Sequence, residues 1–457
     1  MKSDPPRMIE HVVIIGGGFS GTLQAINLLR HDGPRATLIE RGASAGKGLA
    51  YGAAHPSHVL NVRAGNMSAL PDDPQHFVRW LAGRGVADPA TAFIPRVIYG
   101  EYLSEQLAAA RAAAPDRLTV VQGDVVDLIH NGRAVAVLTD GRRIEGDAAV
   151  LAVGNLPPHT PPGLDPDALP GDRYIGDPWA PRAPQGLSDD DTVLIIGAGL
   201  TMIDVALLLE ANGFKGRIVA MSRRGLLPRP HDAPEETWRK IDERPKLSAS
   251  ALLHGVRARG QAIGWRNAVD ELRIFTQDMW ANATVAERGR FLRHLRPWWD
   301  VHRHRLAPEV HARLQALQER GQLVVHAGKP SGFTVAGDGV DVRWRPRGAD
   351  AEEILHVRRI INAIGPQGDL TRTEEPLLRK LVERGMIRPD AARLGIDVDG
   401  TAAVIGADGR PSAWLHALGP MTRGAFWEIV AVPDIRTQTW SLARRLSNAH
   451  WVGGEGL

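Results

Sequence analysis

Two glycine-rich segments contain residues that could hold a phosphate group, and the first of them lies near the N-terminus. It follows the apolar run His11–Ile15 and precedes an apolar helical pattern, so strand, turn and helix occur in the order of a dinucleotide-binding unit. In such a unit the first glycine makes the tight turn, the second lets the backbone approach a pyrophosphate, and the third lets helix pack on strand. The helix N-terminus stabilises the phosphate charge. The predicted cofactor-binding residues of this segment are Gly16, Gly18, Phe19, Ser20 and Gly21.

An acidic residue completes this first unit. The next predicted strand, Ala36–Glu40, ends in Glu40, about 20 residues beyond the glycines. A carboxylate at that position accepts hydrogen bonds from ribose hydroxyl groups. A glycine-rich turn in an ordinary α/β protein is the alternative interpretation, but it gives no reason for an acid at this distance. Glu40 is therefore the predicted ribose ligand.

A second segment repeats this order after a proline-rich stretch from Pro157 to Asp190. The run Thr192–Ile196 predicts a buried strand, and a helical pattern follows through Leu209. Met202 stands where the third glycine is expected, which leaves the two phosphate-facing glycines intact. The predicted contacts to a second dinucleotide are Gly197, Gly199, Leu200 and Thr201.

The strand after the second turn ends differently from its counterpart. Arg217–Met221 predicts this strand, and Ser222, Arg223 and Arg224 follow it in place of an acid. An arginine there can pair with a 2′-phosphate, whereas arginine pairs on surface turns are often simply solvated. The sequence therefore predicts a nicotinamide dinucleotide and leaves NADH and NADPH open.

Composition limits the classes of protein that fit the chain. It has 457 residues, 43% apolar and 23% charged, enough to bury a core in two or three domains. The net charge of +3 gives no indication of a nucleic-acid partner, and no apolar stretch approaches the roughly 20 residues of a membrane-spanning helix. The N-terminus lacks a signal-peptide pattern. We therefore expect a cytoplasmic protein with no membrane or nucleic-acid partner, and the oligomeric state stays open.

The sequence contains no cysteine. This excludes disulfides, thiolate metal ligands and thiol-based redox relays within the chain. A chain with two dinucleotides and no cysteine pair cannot pass electrons to a disulfide of its own. We therefore expect O2 or a small organic molecule to accept the electrons.

The remaining strand patterns predict an α/β fold with two interleaved Rossmann-like domains. Leu118–Asp127, Arg133–Leu138 and Asp147–Gly154 predict strands behind the first turn, and His356–Gly365 predicts one behind the second. The predicted boundaries are 1–190 and 366–457 for a discontinuous FAD-binding domain, and 191–365 for an NAD(P)H-binding domain with a helical insertion at about 228–308.

The strand order of the first domain is similar to that of glutathione-reductase-type and flavin-monooxygenase-type FAD domains. This similarity implies that Val125 places its backbone near the adenine of FAD. It also implies that Gly154 ends the first pass of the domain. An ordinary core residue is the alternative interpretation of Val125.

The helical insertion carries a segment rich in arginine, tryptophan and histidine. Its residues Arg296, His302 and His304 are candidates for binding an anionic or planar heteroaromatic substrate, or for proton transfer. On a strand, Asp300, His302 and His304 would share one face and could ligate a metal, whereas a helix would scatter them. We predict no metal site. The third interpretation is simple packing of helices against the nucleotide domain.

Near the C-terminus, Ala413–Gly419 predicts a strand that leads into a helix starting at about Phe426. A helix N-terminus at this point would stabilise the negative charge that develops on a reduced flavin. The acidic residue that usually precedes such a helix is replaced by glycine and proline. The predicted flavin contacts are Gly419, Pro420, Phe426 and Trp427.

Four stretches together resemble the YdhS/HpyO group of FAD–NAD(P)-binding proteins, and the similarity covers essentially the whole chain. They are Gly46–Tyr51, Leu60–Ser68, Arg296–His304 and Gly419–Glu428. The group is distantly related to flavin monooxygenases, and its HpyO-type members are FAD-dependent urate hydroxylases. The resemblance implies FAD, together with NADH or NADPH, as the cofactors.

On this basis we expect an FAD-dependent monooxygenase that uses NAD(P)H and O2 to hydroxylate a small heteroaromatic substrate, urate to 5-hydroxyisourate. Asn61, Arg63 and Met67 are the candidates for lining flavin and substrate, with a solvated loop around one buried methionine as the alternative. Two other functions stay open. A flavin oxidoreductase would pass electrons to a quinone or a partner protein, and a redox-sensing module would bind FAD with little turnover.

Overall fold

The chain forms two compact units that each draw on separate parts of the sequence. The computed structural model describes residues 8–30, 33–53, 55–232, 245 and 249–447. The described residues of Met1–Ala53, Arg63–Leu156 and Gly368–Leu457 form unit 1, and those of Ala54–Val62 and Pro157–Gln367 form unit 2. Each unit contains one of the two glycine segments.

The strands are β1 (His11–Ile15), β2 (Arg35–Glu40), β3 (Leu118–Gln122), β4 (Val125–His130), β5 (Ala134–Leu138), β6 (Arg143–Gly146), β7 (Ala148–Leu151), β8 (Tyr174–Ile175), β9 (Thr192–Ile196), β10 (Arg217–Ser222), β11 (Leu323–Ala336), β12 (Gly339–Pro346), β13 (Glu353–Val357), β14 (Arg359–Asn362), β15 (Ala403–Ile405) and β16 (Pro411–Ala417). The helices are α1 (Phe19–Arg30), α2 (Gly48–Gly52), α3 (His76–Ala82), α4 (Arg96–Ala113), α5 (Leu200–Ala211), α6 (Ala249–Ile263), α7 (Trp265–Arg273), α8 (Thr276–Asn282), α9 (Val285–Arg290), α10 (Arg296–Arg303), α11 (Pro308–Glu319), α12 (Pro376–Glu383) and α13 (Val432–Leu446).

Unit 1 is built on a sheet with the strand order β15-β16-β7-β1-β2-β3. The strands from β16 to β3 run parallel, and β15 is antiparallel to its neighbour. Strand β1 lies in the middle, where helices or sheets cover both faces, and its residues after His11 are buried and apolar. A small antiparallel sheet, β4-β5-β6, packs its apolar side against one face. Helices α1 and α13 pack against each other.

Unit 2 repeats this plan with the strand order β13-β12-β11-β10-β9-β14-β8. Strand β9 lies between β10 and β14, and all three run parallel. The antiparallel strands β11, β12 and β13 extend the sheet and close the core over Leu194 and Met221. The two units together confirm the predicted α/β fold with interleaved Rossmann-like domains.

The boundaries between the units differ from the predicted ones, because residues 157–190 belong to unit 2. Strand β8, within this stretch, pairs in parallel with β14. The fully buried Arg359 donates hydrogen bonds to the carbonyl oxygens of Asp172 at 2.9 Å, Ala183 at 2.9 Å and Gln185 at 2.7 Å, and it forms an ion pair with the Asp172 carboxylate. The stretch that the sequence presents as a linker is thus held by the interior of unit 2.

A second correction concerns residues 55–62, which leave unit 1 and join unit 2. The buried His58 donates from Nε2 to the carbonyl oxygen of Asp204 in α5 at 3.1 Å. His231 donates from Nε2 to the carbonyl oxygen of Asn61 at 2.9 Å. These two bonds hold the middle and the C-terminal end of the segment to the rest of unit 2.

Two strand predictions change in detail. Leu118–Asp127 is interrupted at Gly123, which separates β3 from β4. The predicted strand His356–Gly365 is two strands, because β13 ends at Val357 in an antiparallel ribbon and β14 begins at Arg359 beside β9.

The first and last residues of the helical insertion of unit 2 lie next to each other. Pro230 and Leu306 form a parallel bridge, and the amide of Leu306 donates to the carbonyl of Arg229 at 2.9 Å. Between them the chain is helical from α6 to α10, with a π-helical turn at Phe291–Leu295. Residues 233–244 and 246–248 of the predicted insertion lie outside the described residues. Within the described ranges, no helix combines the length and apolarity needed to cross a membrane.

Candidate functional site

The first glycine turn, between β1 and α1, has the close contacts that require glycine. Gly16 has a φ of +104°, and a Cβ on it would lie 2.3 Å from the carbonyl oxygen of Ala152. Its amide donates to the carbonyl of Ile39 at the end of β2 at 2.8 Å. A Cβ on Gly21 would lie 1.9 Å from the carbonyl oxygen of Gly16. The turn and the first turn of α1 therefore pack in backbone contact, as a dinucleotide-binding loop requires.

Glu40 lies directly beside this turn. Its Oε2 accepts a hydrogen bond from the amide of Gly17 at 2.7 Å, and its Oε1 accepts one from the amide of Gly42 at 2.7 Å. These bonds fix the carboxylate at the end of β2, next to the glycines. Each carboxylate oxygen has a further lone pair with which to accept a hydrogen bond from a ribose hydroxyl.

The middle of the turn is open to a ligand. A Cβ on Gly18 would meet only the Cα of Gly48, at 3.6 Å, so the backbone of Gly18 is accessible on that side. Phe19 and Ser20 then begin α1, whose N-terminus faces the same opening. The geometry fits a pyrophosphate held by backbone amides.

A second loop, Gly46–Gly48, packs against the glycine turn and adds residues to the site beyond the predicted ones. The amide of Gly46 donates to the carbonyl of Gly17 at 2.8 Å, and a Cβ on Gly48 would lie 2.8 Å from the Cα of Gly18. Lys47 brings a positive charge to this loop. In the sequence, the Gly-Lys-Gly spacing of this loop is noticeable only because it belongs to the stretch Gly46–Tyr51 that resembles the YdhS/HpyO group.

Aromatic residues support the start of α1. Tyr51, which follows the Gly46–Gly48 loop in α2, packs edge-on against Phe19 with ring centroids 6.3 Å apart and against Tyr99 at 4.8 Å. Burial raises the pKa of the Tyr51 hydroxyl, so it stays protonated in the physiological range. The cluster fixes the opening of the turn with uncharged side chains.

The second glycine turn, between β9 and α5, repeats the same backbone contacts. Gly197 has a φ of +128°, and a Cβ on it would lie 2.1 Å from the carbonyl oxygen of Ala363. Its amide donates to the carbonyl of Met221 at the end of β10 at 2.8 Å. A Cβ on Gly199 would meet nothing within 4 Å, and Leu200 and Thr201 begin α5 beside this space. This turn also fits a pyrophosphate.

The third position of the second turn is filled by a buried side chain. Met202 is fully buried, where Gly21 in the first turn leaves helix and strand in contact. The methionine in place of the third glycine therefore changes the packing inside unit 2. The open space at Gly199 is unaffected.

A glycine follows the parallel strand that supports each turn. Gly154 after β7 has a φ of +69°, and Gly365 after β14 has a φ of +88°. A Cβ on either one would meet nothing within 4 Å. Both units thus leave free space at the carboxyl end of the central strands, where ligands bind in open α/β sheets.

The residues after β10 form a tight turn. The side-chain oxygen of Ser222 accepts a hydrogen bond from the amide of Gly225 at 3.1 Å. Arg223 is exposed, and Arg224 is half-buried with its guanidinium carbon 5.9 Å from the ring centroid of Trp298 in α10. Both arginines follow the carboxyl end of β10, the strand next to the one that carries the second glycine turn.

The loop residues predicted to line flavin and substrate are divided between the units. Asn61 belongs to unit 2, whereas Arg63 and Met67 belong to unit 1. Arg63 donates to the carbonyl of Thr91 at 2.9 Å and lies over the ring of Phe93. Met67 is buried, and its carbonyl accepts from the Tyr99 hydroxyl at 2.9 Å.

The predicted adenine neighbour, Val125, is also buried. It begins β4 opposite Leu138 and belongs to the core between the two sheets of unit 1. The structure thus gives its side chain a packing role, and the backbone contact to adenine stays a prediction.

Of the candidates in the insertion, the structure brings two together and separates the third. Arg296 and His304 flank Asp300 on one face of α10, at 3.4 Å and 3.8 Å from its carboxylate oxygens. His302 points elsewhere, because it donates to the carbonyl of Trp298 at 2.7 Å and packs against Trp265. The segment is helical, so the strand geometry needed for a metal site does not form. Over the described ranges, no group of three or more His, Asp or Glu side chains has an arrangement that could hold a metal ion.

The predicted helix at Phe426 is wrong, because the C-terminal helix α13 begins at Val432. Pro433 occupies its first turn, and a proline is tolerated there but would break a helix that had started six or seven residues earlier. A 3₁₀ turn at Gly419–Thr422 follows β16, and Pro420 lies in it. Phe426 and the buried Trp427 lie in irregular turns between the two.

Gly419 is positioned by α1 and α13 within unit 1. A Cβ on it would lie 2.4 Å from the Oγ of Ser20, and its φ is +74°. Its amide donates to the Oε1 of Gln438 at 2.8 Å, and Gln438 donates to the Oγ1 of Thr422 at 3.0 Å. The end of β16 is therefore held next to the first turn of α1, although not by the predicted helix N-terminus.

Behind Gly419, the interior of unit 1 contains polar groups that sequence reasoning missed. Gln24 of α1 and His416 of β16 are buried, and none of their side-chain nitrogen and oxygen atoms has a hydrogen-bond partner among the described residues. Burial lowers the pKa of His416 to about 4, and Arg445 contributes to this shift. His416 is therefore neutral at physiological pH.

Comparison with known proteins agrees with this geometry. Residues 13–156 match the sequence family described as FAD-NAD(P)-binding. Uncharacterized proteins of Mycobacterium tuberculosis and Mycobacterium bovis are 20% identical in an alignment that covers 90% of this chain and 89% of theirs. The family match confirms the predicted cofactors, FAD with NADH or NADPH.

Two solved structures share the architecture over almost their full length. Ornithine hydroxylase from Pseudomonas aeruginosa superposes with a TM-score of 0.65 at 13% identity, covering 96% of this chain and 98% of that chain. The FAD-bound cadaverine monooxygenase from Erwinia amylovora gives a TM-score of 0.65 at 12% identity, with 96% and 95% covered. At such identities the likeness concerns the fold. The chain therefore contains an FAD-NAD(P)-binding domain and has the fold of this ornithine hydroxylase and this cadaverine monooxygenase.

Proposed function

We propose that the protein is an FAD-dependent monooxygenase that uses NAD(P)H and O2 to hydroxylate a small substrate. The observation that carries this proposal is the pair of glycine turns, each with glycines that tolerate no side chain and an open backbone beside a helix N-terminus. A chain that holds two dinucleotides and contains no cysteine needs an external electron acceptor, and O2 is the acceptor that a monooxygenase uses.

The first turn fits FAD. Gly16 and Gly18 let the backbone approach the pyrophosphate, and Glu40 accepts hydrogen bonds from the ribose hydroxyls. Lys47 adds a positive charge in the Gly46–Gly48 loop, which packs against the turn. The Gly419–Thr422 turn reaches the same end of α1, where it supports the flavin end of the cofactor. When bound, FAD supplies the redox chemistry, and the chain supplies binding and orientation.

The second turn fits the nicotinamide dinucleotide. Gly197 and Gly199 receive its pyrophosphate at the N-terminus of α5, and Gly365 leaves space at the end of the neighbouring strand.

In unit 1, Val125 and Gly154 stay candidates for contacts to FAD.

The substrate is proposed from two sources. Resemblance to HpyO-type proteins favours urate, converted to 5-hydroxyisourate. Arg63 in unit 1 and Arg296 in unit 2 each stay a separate candidate for binding an anionic heterocycle. His304 stays a candidate for proton transfer beside Asp300, as does Asn61 for a polar contact to substrate. His302 is a weaker candidate, because its Nδ1 is engaged by the backbone of its own helix.

N-hydroxylation of a primary amine is the second candidate. The two solved structures with the same fold over nearly the whole chain are an ornithine hydroxylase and a cadaverine monooxygenase. Ornithine and cadaverine are therefore the natural alternatives to urate in a substrate panel.

The test is anaerobic reduction of the FAD-loaded protein by NADH or NADPH, followed by O2 with urate, ornithine, cadaverine or no addition. The expected result is that one compound is hydroxylated with a stoichiometry close to that of NAD(P)H consumed. Product from ornithine or cadaverine alone would replace urate. Stoichiometric H2O2 whatever compound is added would reject the monooxygenase and favour an oxidoreductase that serves a quinone or a partner protein.

A further inference from the structure

The two units give an internal alignment around their turns. The amide of Gly16 bonds the carbonyl of Ile39, and the amide of Gly197 bonds the carbonyl of Met221, both at 2.8 Å. Glu40 and Ser222 are the next residues along β2 and β10, so they occupy equivalent positions. The carboxylate that would face the ribose in unit 1 is therefore a neutral hydroxyl in unit 2.

The arginines that follow are also in different electrostatic states. In unit 1, Arg41 forms ion pairs with Asp124 at 3.2 Å and Glu375 at 2.8 Å. In unit 2, the equivalent Arg223 and the next residue, Arg224, have no carboxylate partner among the described residues. Among the described residues, unit 2 thus presents two arginines without a carboxylate partner where unit 1 presents a carboxylate and an ion-paired arginine.

The helical insertion fixes one of these cations. Trp298 is 43% exposed, and the guanidinium of Arg224 lies over its ring. Arg296 and His304 both lie beside the carboxylate of Asp300 on another face of α10, so the acid of that helix has partners other than Arg224. The guanidinium of arginine is planar, and its N–H groups can form two parallel bonds to a phosphate once a neighbouring ring holds the side chain in place.

We propose that unit 2 selects NADPH over NADH through a 2′-phosphate site formed by Arg223, Arg224 and the Ser222 hydroxyl, with Trp298 as the positioning residue for Arg224. The inference rests on the proposed use of a nicotinamide dinucleotide. A carboxylate at the strand end would repel a 2′-phosphate, whereas arginines pair with it. The insertion thereby contributes to cofactor choice through Trp298.

The test uses adenosine 2′,5′-bisphosphate and adenosine 5′-monophosphate, which differ only in the 2′-phosphate, titrated calorimetrically into the FAD-loaded protein. Because these ligands carry no nicotinamide, the result is independent of flavin reduction. We expect the bisphosphate to bind at least about tenfold more tightly, and Arg223→Ala or Arg224→Ala to weaken it by about 10- to 100-fold while the monophosphate changes little.

Arg217→Ala is the matched control, since Arg217 is an exposed arginine at the opposite end of β10. Trp298→Ala should lower the preference for the bisphosphate without changing monophosphate affinity, and Trp298→Phe should restore most of it. Equal binding of the two ligands by the unchanged protein, or an equal loss in Arg217→Ala, would overturn the proposal. If that happens while NADH still supports hydroxylation, the proposed function stands; if the site binds as expected and no compound is hydroxylated, only the proposed function fails.

Discussion

The two glycine turns have the same backbone and opposite surroundings. Both use a left-handed first glycine pressed against the end of a neighbouring strand, and both leave the second glycine open. Around the first turn lies a carboxylate bonded by two amides, and beside the second lie two arginines that have no carboxylate partner within the described part of the chain. Under our proposal, the turn sets where a pyrophosphate binds, while the last residue of the next strand and the residues that follow it set which ribose the site accepts.

The largest expected effect comes from a methyl group on the first glycine of either turn. Gly16→Ala places a Cβ 2.3 Å from a carbonyl oxygen, and Gly197→Ala places one at 2.1 Å. Both positions also have a positive φ, which is unfavourable for alanine. We expect losses of roughly 2–6 kcal/mol in the free energy of unfolding. Flavin absorbance of the purified protein should fall in Gly16→Ala, whereas Gly197→Ala should keep FAD and lose its reduction by NAD(P)H.

Gly337→Ala is a suitable control for these variants. Gly337 also has a positive φ, of +58°, but a Cβ on it would meet nothing within 4 Å. It should cost much less than either turn variant. Full FAD content in Gly16→Ala would contradict the assignment of FAD to the first turn.

The next effect tests the third position of the turns. Met202→Ala removes a fully buried side chain and should lower the free energy of unfolding by roughly 2–5 kcal/mol. Met202→Gly should cost more, because glycine also weakens a helix by about 1 kcal/mol. Urea unfolding measures both. If Met202→Gly had a higher free energy of unfolding than the unchanged protein, the second turn would fit a glycine at this position better than a methionine.

A third prediction contrasts the buried polar groups of the units. In unit 2, Arg359 is fully bonded, whereas in unit 1 the buried His416 has a pKa of about 4 against 6.5 for a free histidine. The unfolded chain, in which this histidine has its ordinary pKa, binds the proton more tightly than the folded chain. His416 therefore does not reduce the free energy of unfolding above pH 6.5, and it reduces that free energy progressively as the pH falls towards about 4. The loss reaches roughly 3 kcal/mol.

His416→Phe should flatten this pH dependence of the unfolding free energy over the same interval. His254→Gln, at an exposed position in α6, serves as the control and should leave it unchanged. An unaltered slope in His416→Phe would assign the acid sensitivity to other groups.

The smallest expected effect exchanges the character of the second turn for that of the first. Ser222→Glu places a carboxylate where unit 1 has Glu40. It should reduce the preference for a 2′-phosphate by about tenfold, or about 1.4 kcal/mol. Calorimetric titration with the two adenosine phosphates measures it. A preference that survives intact would mean that the 2′ position lies elsewhere.

Sequence alone predicted the parts of the fold whose signals are local. Strands β1 and β9 have the predicted limits, and the glycines of both turns lie where the strand–turn–helix order placed them. The start of α13 was also readable, since Pro433 can only occupy a first helical turn, but the flavin analogy favoured Phe426.

The features that could not be predicted depend on contacts distant in sequence. The boundary after Leu156 follows from Arg359 bonding carbonyls more than 170 residues away. The transfer of residues 55–62 to unit 2 depends on His58 and His231 meeting backbone carbonyls. Gln24 and His416, whose side chains have no hydrogen-bond partner among the described residues, carry no sequence signature, because their burial arises from the packing of unit 1.

The interleaving of the units has a consequence for synthesis of the chain on the ribosome. Unit 2 needs only residues up to Gln367, whereas the sheet of unit 1 lacks β15 and β16 until residues 403–417 have emerged. Because domains fold as they are completed, the unit that starts second should finish first. Unit 1 must then wait as an open sheet whose β7 edge has no neighbour, and that waiting period is when the nascent protein is most exposed to aggregation.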